Sequence, residues 1–350
     1  MKKSLLALAA LGAFVGAASA QSSVTLWGIV DQSLVSVKNG STTLKSLDSN
    51  QLNSNRLGFR GTEDLGGGMS AGFWLEMGMD SSTGVAGGNV TGAPATQSLF
   101  NRRSTVSLVG NFGEIRLGRD YNPSFWNTVF FDVYGANGLG QMLNLTSALG
   151  SGATTFARSN NSVGYFLPKG LGGLYGQFQV AAQEGPITAG YANKYKGGRL
   201  GFASGPFDVA FGYGITQTST PDDYKLMNAG VSYDMGVAKI LGMWNVSKFG
   251  AKELKTYEIS TVVPMGQGEF KLGYVRADAS GAGTDDNDAN QLSAQYIYNL
   301  SKRTALYTTV SRISNKGKAT FVMGGAVSAA DAAAGGFTSQ GYNFGIRHSF

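Results

Sequence analysis

Cysteine is absent from this 350-residue chain, and histidine occurs once, as His348. Those absences exclude Cys–His and Ser–His nucleophiles and the usual zinc sites. An exported chain without disulfides must take its cross-links from elsewhere, and a closed ladder of inter-strand hydrogen bonds is one source. Charge is scarce as well, at 14% against roughly 25% in soluble domains. The seven prolines (Pro94, Pro123, Pro168, Pro186, Pro206, Pro221 and Pro264) all fall between periodic segments, as expected where strands must donate every backbone N–H. No apolar run reaches the roughly 18 residues that a membrane-crossing helix needs. A helical membrane protein is thereby excluded.

What the chain does have begins at its N-terminus. Lys2 and Lys3 precede an apolar run from Leu5 to Val15 and a small-residue site at Ala18-Ser19-Ala20, the three-part pattern of a cleaved secretory leader. The expected organisation is a leader at 1–20 and a single mature unit at 21–350. Removing the leader's two lysines from the formal +6 leaves a mildly basic +4. Glycine is abundant, at 52 residues. A glycine-rich, charge-poor chain with no long apolar run suits a barrel whose outer face meets lipid.

Periodicity supports that reading. At the C-terminus Tyr342, Phe344, Ile346, His348 and Phe350 alternate with polar or small residues, the period of a strand with one apolar face. The same alternation recurs at Met227 to Asp234 and at Leu292 to Asn299. His348 on this face reads as a membrane-girdle residue beside Phe350. Seven tight turns are expected, at Glu63 to Gly68, Gly110 to Gly113, Pro168 to Gly173, Ser204 to Pro206, Asp234 to Gly236, Pro264 to Gly268 and Asn299 to Arg303, each built from residues that tolerate turn dihedrals. Seven hairpins plus a first and a last strand predict about sixteen strands. Longer polar segments alternate with the turns, at Lys38 to Asn50, Asp80 to Leu99, Asp120 to Ala157, Gln183 to Asn193, Gln217 to Asp223, Ser247 to Lys252, Ala277 to Ala289 and Asn315 to Ser339. Short turns at one rim and long loops at the other characterise outer-membrane barrels. Val24 to Val30 and Thr304 to Ile313 mix polar and apolar residues on both phases, which fits either a strand packed on another subunit or a one-residue slip of register.

Three segments carry a family resemblance: Val24 to Asp31, Arg56 to Gly68, and Asn101 to Pro123 with Gly-Glu-Ile-Arg-Leu-Gly-Arg-Asp-Tyr at 113–121. With the terminal Phe350 they resemble the trimeric general porins of Gram-negative bacteria, in the beta-proteobacterial, neisserial and comamonad branch. The resemblance implies an all-β transmembrane antiparallel barrel in the outer membrane, assembled as a homotrimer among outer-membrane lipid and lipopolysaccharide, passing small ions and hydrophilic solutes. It implies no cofactor and no nucleic-acid partner. It also implies that the third long loop, here 120–157, folds inward and narrows the pore. The aromatic content of that loop, including Tyr121, Phe125, Trp126, Phe130, Phe131 and Tyr134, argues for a packed segment over a disordered one.

Side-chain alternation then gives the candidate site. With Leu57 and Phe59 facing out, Arg56 and Arg60 face the lumen. By the same count Arg103, Arg116 and Arg158 point inward. Arg102 falls on the other phase, and the family motif makes it a candidate if a bulge re-aims it. A ring of guanidiniums concentrates anions in a narrow, low-dielectric passage, with Glu76, Glu114, Asp120 and Asp132 opposing or bracing some of them. The alternative is that these arginines serve only to hold the long loop. An outer-membrane phospholipase or protease is disfavoured for want of a histidine in a polar, loop-proximal position. A substrate-specific channel or a closed anchor remains open, the strand count favouring an open lumen. Asp285, Asp286 and Asp288 lack regular ligand spacing, which favours a solvated acidic loop over a cation site. Gly66-Gly67-Gly68 lacks the lysine and helix of a phosphate loop and reads as a turn.

Overall fold

A computed structural model describes residues 23–87, 98–153, 155–182, 193–218 and 220–350. The expected leader and its cleavage point lie outside the described residues, as do parts of the segments expected at Asp80 to Leu99 and Gln183 to Asn193.

The chain runs as β1 (Ser23–Asn39), β2 (Thr42–Ser49), β3 (Arg56–Gly66), β4 (Met69–Asp80), β5 (Val85–Ala86), β6 (Arg103–Gly110) and β7 (Gly113–Tyr121). After a long inward excursion it continues with β8 (Arg158–Phe166), β9 (Leu174–Ala181), β10 (Tyr195–Ser204), β11 (Phe207–Gln217), β12 (Asp223–Asp234) and β13 (Lys239–Phe249). It ends with β14 (Lys252–Met265), β15 (Gly268–Ser280), β16 (Ala289–Asn299), β17 (Thr304–Asn315) and β18 (Thr338–Ser349). All pairings are antiparallel, and apart from β1 with β3 and β4 with β6 they join chain neighbours until β18 closes the sheet onto β1 from Ile29↔Ser349 to Asn39↔Ser339. At the seam Gly28 and Phe350 exchange backbone hydrogen bonds of 3.1 and 3.0 Å. β2 and β3 lie end to end along β1, pairing with its upper and lower halves. They form one wall strand interrupted at 50–55. With β5 confined to two residues, the described wall is a closed barrel of sixteen strands.

Alternation explains the two faces. Val24, Leu26, Leu34, Val106, Leu117, Val163, Phe178, Phe344 and Ile346 are exposed on the outer surface, while Asp31, Ser33, Asn228, Thr256, Gln291 and Asn343 are buried inside. An apolar band outside and a polar lining inside is the pattern lipid and water impose on a spanning barrel. In the first strand, where the sequence pattern is mixed, Val24, Leu26 and Val30 point out. Facing His348, exposed on the outer surface, is Thr304, 2.9 Å away.

All seven expected turns join consecutive strands at one rim. Two of the expected long segments do not exist as loops. Lys38 to Asn50 and Ser247 to Lys252 are strand, turning through two-residue connections at Gly40-Ser41 and Gly250-Ala251. Gly40 and Gly250 have φ of 55° and 56°, a left-handed conformation that glycine adopts without steric cost. Polarity misled the sequence reading there, because strands that rise above the membrane need no apolar face.

The longest excursion, 122–157, enters the barrel. Helix α1 (Pro123–Phe131) starts with proline in its first turn, where no N–H is needed. It packs on β10, β11 and β12, and a 3₁₀ turn at Met142–Leu145 reaches β15, halfway round the ring. Missing side chains in the wall seat it: a Cβ at Gly230 would overlap the Phe131 ring, and one at Gly273 would overlap Tyr134. Phe131, Leu139, Met142 and Leu145 are fully buried against wall residues such as Met243, Leu254, Val275 and Ile313. The barrel's apolar core is therefore the contact between this loop and the inner wall. Polar bonds fix the same seat, with Tyr134 Oη donating to the Ser293 carbonyl at 2.8 Å and Gln291 Nε2 to the Gly140 carbonyl at 2.6 Å.

Candidate functional site

Cross-strand register brings the predicted arginines onto one stretch of inner wall, over β3, β4, β6, β7 and β8. Arg60 lies opposite Trp74, Arg103 opposite Glu76, and Arg116 opposite Gly164. Glu76 is buried at the centre of the first group. Its Oε1 meets Arg102 Nε at 2.6 Å and Arg56 Nη1 at 3.4 Å, and its Oε2 accepts from Trp74 Nε1 at 3.1 Å. Asp120 centres the second group, 2.6 Å from Arg116 and 3.7 Å from Arg103, while Glu114 also holds Arg116 at 2.8 Å.

Aromatic faces orient the guanidiniums. Arg103 sits 4.5 Å from the Trp74 centroid, Arg116 3.9 Å from Phe166, and Arg158 4.0 Å from Tyr121. Stacking fixes the plane of each guanidinium. Arg60, exposed in the lumen, lies 5.3 Å from Trp74. Among the described residues neither Arg60 nor Arg158 has a carboxylate within ion-pair distance. Six guanidiniums (Arg56, Arg60, Arg102, Arg103, Arg116, Arg158) thus share the wall with four carboxylates, Glu76, Glu114, Asp120 and Asp80, the last lining one cavity with Arg102 and Arg158, and the wall carries net positive charge.

Two of these positions depart from simple alternation. Arg102 precedes the β6 ladder, so its side chain is free to turn in, and its Nη2 donates to Tyr121 Oη at 2.7 Å. Arg158 lies opposite Tyr121, beyond a register shift between Gly118 and Asp120; Asn161 there has φ of 50°. The bulge breaks the count from Val163, yet Arg158 still donates to Tyr121 Oη and lines the same space. That space is a cavity of about 370 Å³ bounded by Arg102, Arg158, Asn50, Ser54, Asn137 and Gln141, among others.

Asp132 does not share the arginine wall. Its carboxylate accepts from the backbone N–H of Tyr134, Ala136 and Met142 at 2.9 to 3.1 Å. It organises the loop's own turn, and burial pushes its carboxyl up to about 6. In the acidic loop Asp285 accepts from Gly281 N at 2.9 Å, and Asp288 pairs with Arg276 at 3.8 Å.

Sequence reasoning missed three contributors. Residues 50–55 leave the sheet and meet the loop tip, where Ser54 Oγ donates to Asn137 Oδ1 at 2.7 Å. Asp31 anchors this excursion by accepting from Leu52 N at 2.7 Å and Asn53 N at 2.5 Å. Arg199 donates to Asn127 of α1 at 2.5 Å and faces Phe130 and Tyr175. The Asn/Ser-rich run at 50–55 was a usable signal; Arg199 had none.

Comparison with known proteins agrees with this geometry. A family described as Gram-negative porin matches residues 7–318. Outer membrane porin protein 32 of Delftia acidovorans is 38% identical over the whole of both chains. An outer membrane porin protein of Bordetella pertussis is 29% identical, covering 90% of this chain and 95% of its own. Among solved structures, an anion-selective porin from Comamonas acidovorans superposes with a TM-score of 0.81 at 35% identity, covering 94% of this chain and 100% of that one.

Proposed function

The chain belongs to the Gram-negative porin family, and from that premise we propose that it is an outer-membrane diffusion porin whose constriction favours small anions over cations. The observation that carries the charge preference is the arginine wall, six guanidiniums to four carboxylates, with Arg60 and Arg158 lacking a carboxylate partner among the described residues. Fixed charges facing a narrow water path with protein walls raise the local concentration of counter-ions and lower that of co-ions. The loop at 120–157 supports this by pressing the water path toward that wall, so that a passing ion stays close to it. The comamonad neighbour, described as anion-selective, supports the same sign.

Glu76 and Asp120 have a positioning role in this reading: they hold neighbouring guanidiniums that would otherwise repel one another. Asp132 acts through the loop, as its internal brace. The chain works as a passive channel with no catalytic step, is processed before Gln21, and assembles as a homotrimer embedded in outer-membrane lipid and lipopolysaccharide. Family membership supports the assembly.

The deciding experiment is the reversal potential of the purified protein in a planar bilayer under a KCl gradient. An anion-selective potential is expected, and a cation-selective one refutes the proposal. Liposome swelling with sugars of rising size separates general diffusion, which falls smoothly with size, from a solute-specific channel, which saturates.

A further inference from the structure

The outer wall differs between its two rims. Lysines and arginines on the outward phase of the strands gather toward the long-loop rim, among them Lys38, Lys196, Lys225, Lys248, Arg276 and Arg312. In the turn-side halves of the strands, among the described residues, that phase carries no lysine or arginine. Long loops face the cell exterior in outer-membrane barrels, so these cations meet the outer leaflet.

Two of them frame a groove. Arg312 lies opposite Gln340, and Gln340 opposite Lys38, so the two cations flank β18 with their backbones about 10 Å apart. Among the described residues neither has a carboxylate within ion-pair distance, whereas Arg276 has Asp288 at 3.8 Å and Lys248 has Glu253. The next outward rung reads Ser36, Tyr342, Val310, Ala294 and Leu272. Small Ser36 and Ala294 among larger neighbours leave a groove of about 770 Å³. It runs through Leu272, Tyr274 and Leu292 into a second groove of about 400 Å³ against Ile240 and Ile259. At its mouth Tyr274 Oη donates to Asn290 Oδ1 at 2.8 Å.

Interfacial cations that merely snorkel toward the headgroups need no cleft beneath them. We propose that this groove seats the phosphorylated, acylated glycolipid of the outer leaflet, the lipid A part of lipopolysaccharide. A phosphate is held between Lys38 and Arg312, and an acyl chain lies over Ala294 between Leu272 and Val310. Charge complementarity selects this occupant, because two unpaired cations set over an apolar cleft match an anionic head that carries hydrocarbon chains. The inference rests on the outer-membrane reading and adds the place and the residues that hold the lipid.

The test titrates the folded protein in detergent with bis-phosphorylated lipid A, and with the same lipid stripped of its phosphates, and reads the bound fraction by native mass spectrometry. The phosphorylated form is expected to bind about tenfold or more tightly. Lys38→Gln/Arg312→Gln should weaken it about ten- to thirtyfold, and Ala294→Leu, which fills the floor with both charges intact, about threefold. Lys225→Gln/Lys248→Gln makes the same charge change on the same rim away from the groove and should stay within about twofold of wild type. Equal weakening by the two charge pairs, or unchanged binding in both groove variants, overturns the inference. Loss of trimers in Lys38→Gln/Arg312→Gln would assign the groove to a second copy of the chain and overturn it too. If one groove variant does not fold, the other decides together with the wild-type comparison. The channel reading fails separately, through a cation-selective KCl reversal potential, whereas an anion-selective pore indifferent to the phosphates of lipid A sinks this inference alone.

Discussion

Reversing the two guanidiniums that lack carboxylate partners, by Arg60→Glu with Arg158→Glu, leaves four positive and six negative side chains where the wall had six and four. For an ion passing about 8 Å away through water-like dielectric, each unit of charge changed shifts its energy by about 0.5 kcal/mol. The double reversal changes four units, or about 2 kcal/mol, and ionic screening at 0.1 M salt reduces this to about 1 kcal/mol. The shift has opposite sign for chloride and potassium, so the anion-to-cation ratio should fall about thirtyfold. Arg60→Glu alone, at an exposed position that needs no repacking, should give about fivefold. Reversal potentials measure both, on variants that keep the heat-modifiable band of a folded barrel. A double variant within about twofold of wild-type selectivity would show that the arginines only hold the loop, and the electrostatic account would be wrong.

Glu76→Gln removes the carboxylate shared by Arg56 and Arg102; it should raise anion preference while costing about 1–3 kcal/mol of barrel stability, read as a lower melting temperature in detergent. Gly230→Leu places a side chain where the Phe131 ring lies and should unseat α1, seen as larger and noisier single-channel conductance with the barrel intact; unchanged conductance would mean the helix does not narrow the path. Burial holds the Asp132 carboxyl at about 6, above roughly 4 in an unfolded chain, so its neutral form stabilises the loop. That contribution is fully present below about pH 4 and is lost as pH rises through about 6. Hydrogen exchange over 132–142, corrected for intrinsic rates, should therefore show weaker protection at pH 7 than at pH 4, and Asp132→Asn should flatten the difference.

The barrel was legible because its cause is local. Lipid on one side and water on the other impose period-two alternation on each strand separately, as at Tyr342 to Phe350, and turn residues mark each short connection. Where that environment ends, the signal ends with it. The hairpins at Gly40 and Gly250 stand clear of the apolar band, so their polar strands resembled loops. Phases of Arg56, Arg60, Arg103 and Arg116 followed from the same alternation, since each lies in an unbroken ladder.

By itself, then, the sequence determined the strand count, the in–out phase of regular strands and a surplus of arginine on one arc of the wall. Only the tertiary structure decided which of those arginines meet. Arg102 and Arg158 reach one phenol because one precedes its ladder and the other follows a bulge, and neither event has a periodic signature. It also decided where the inward loop rests, since Phe131 and Tyr134 find their seats at Gly230 and Gly273, about a hundred or more residues away. Such contacts depend on closure of the whole ring, which no local pattern encodes.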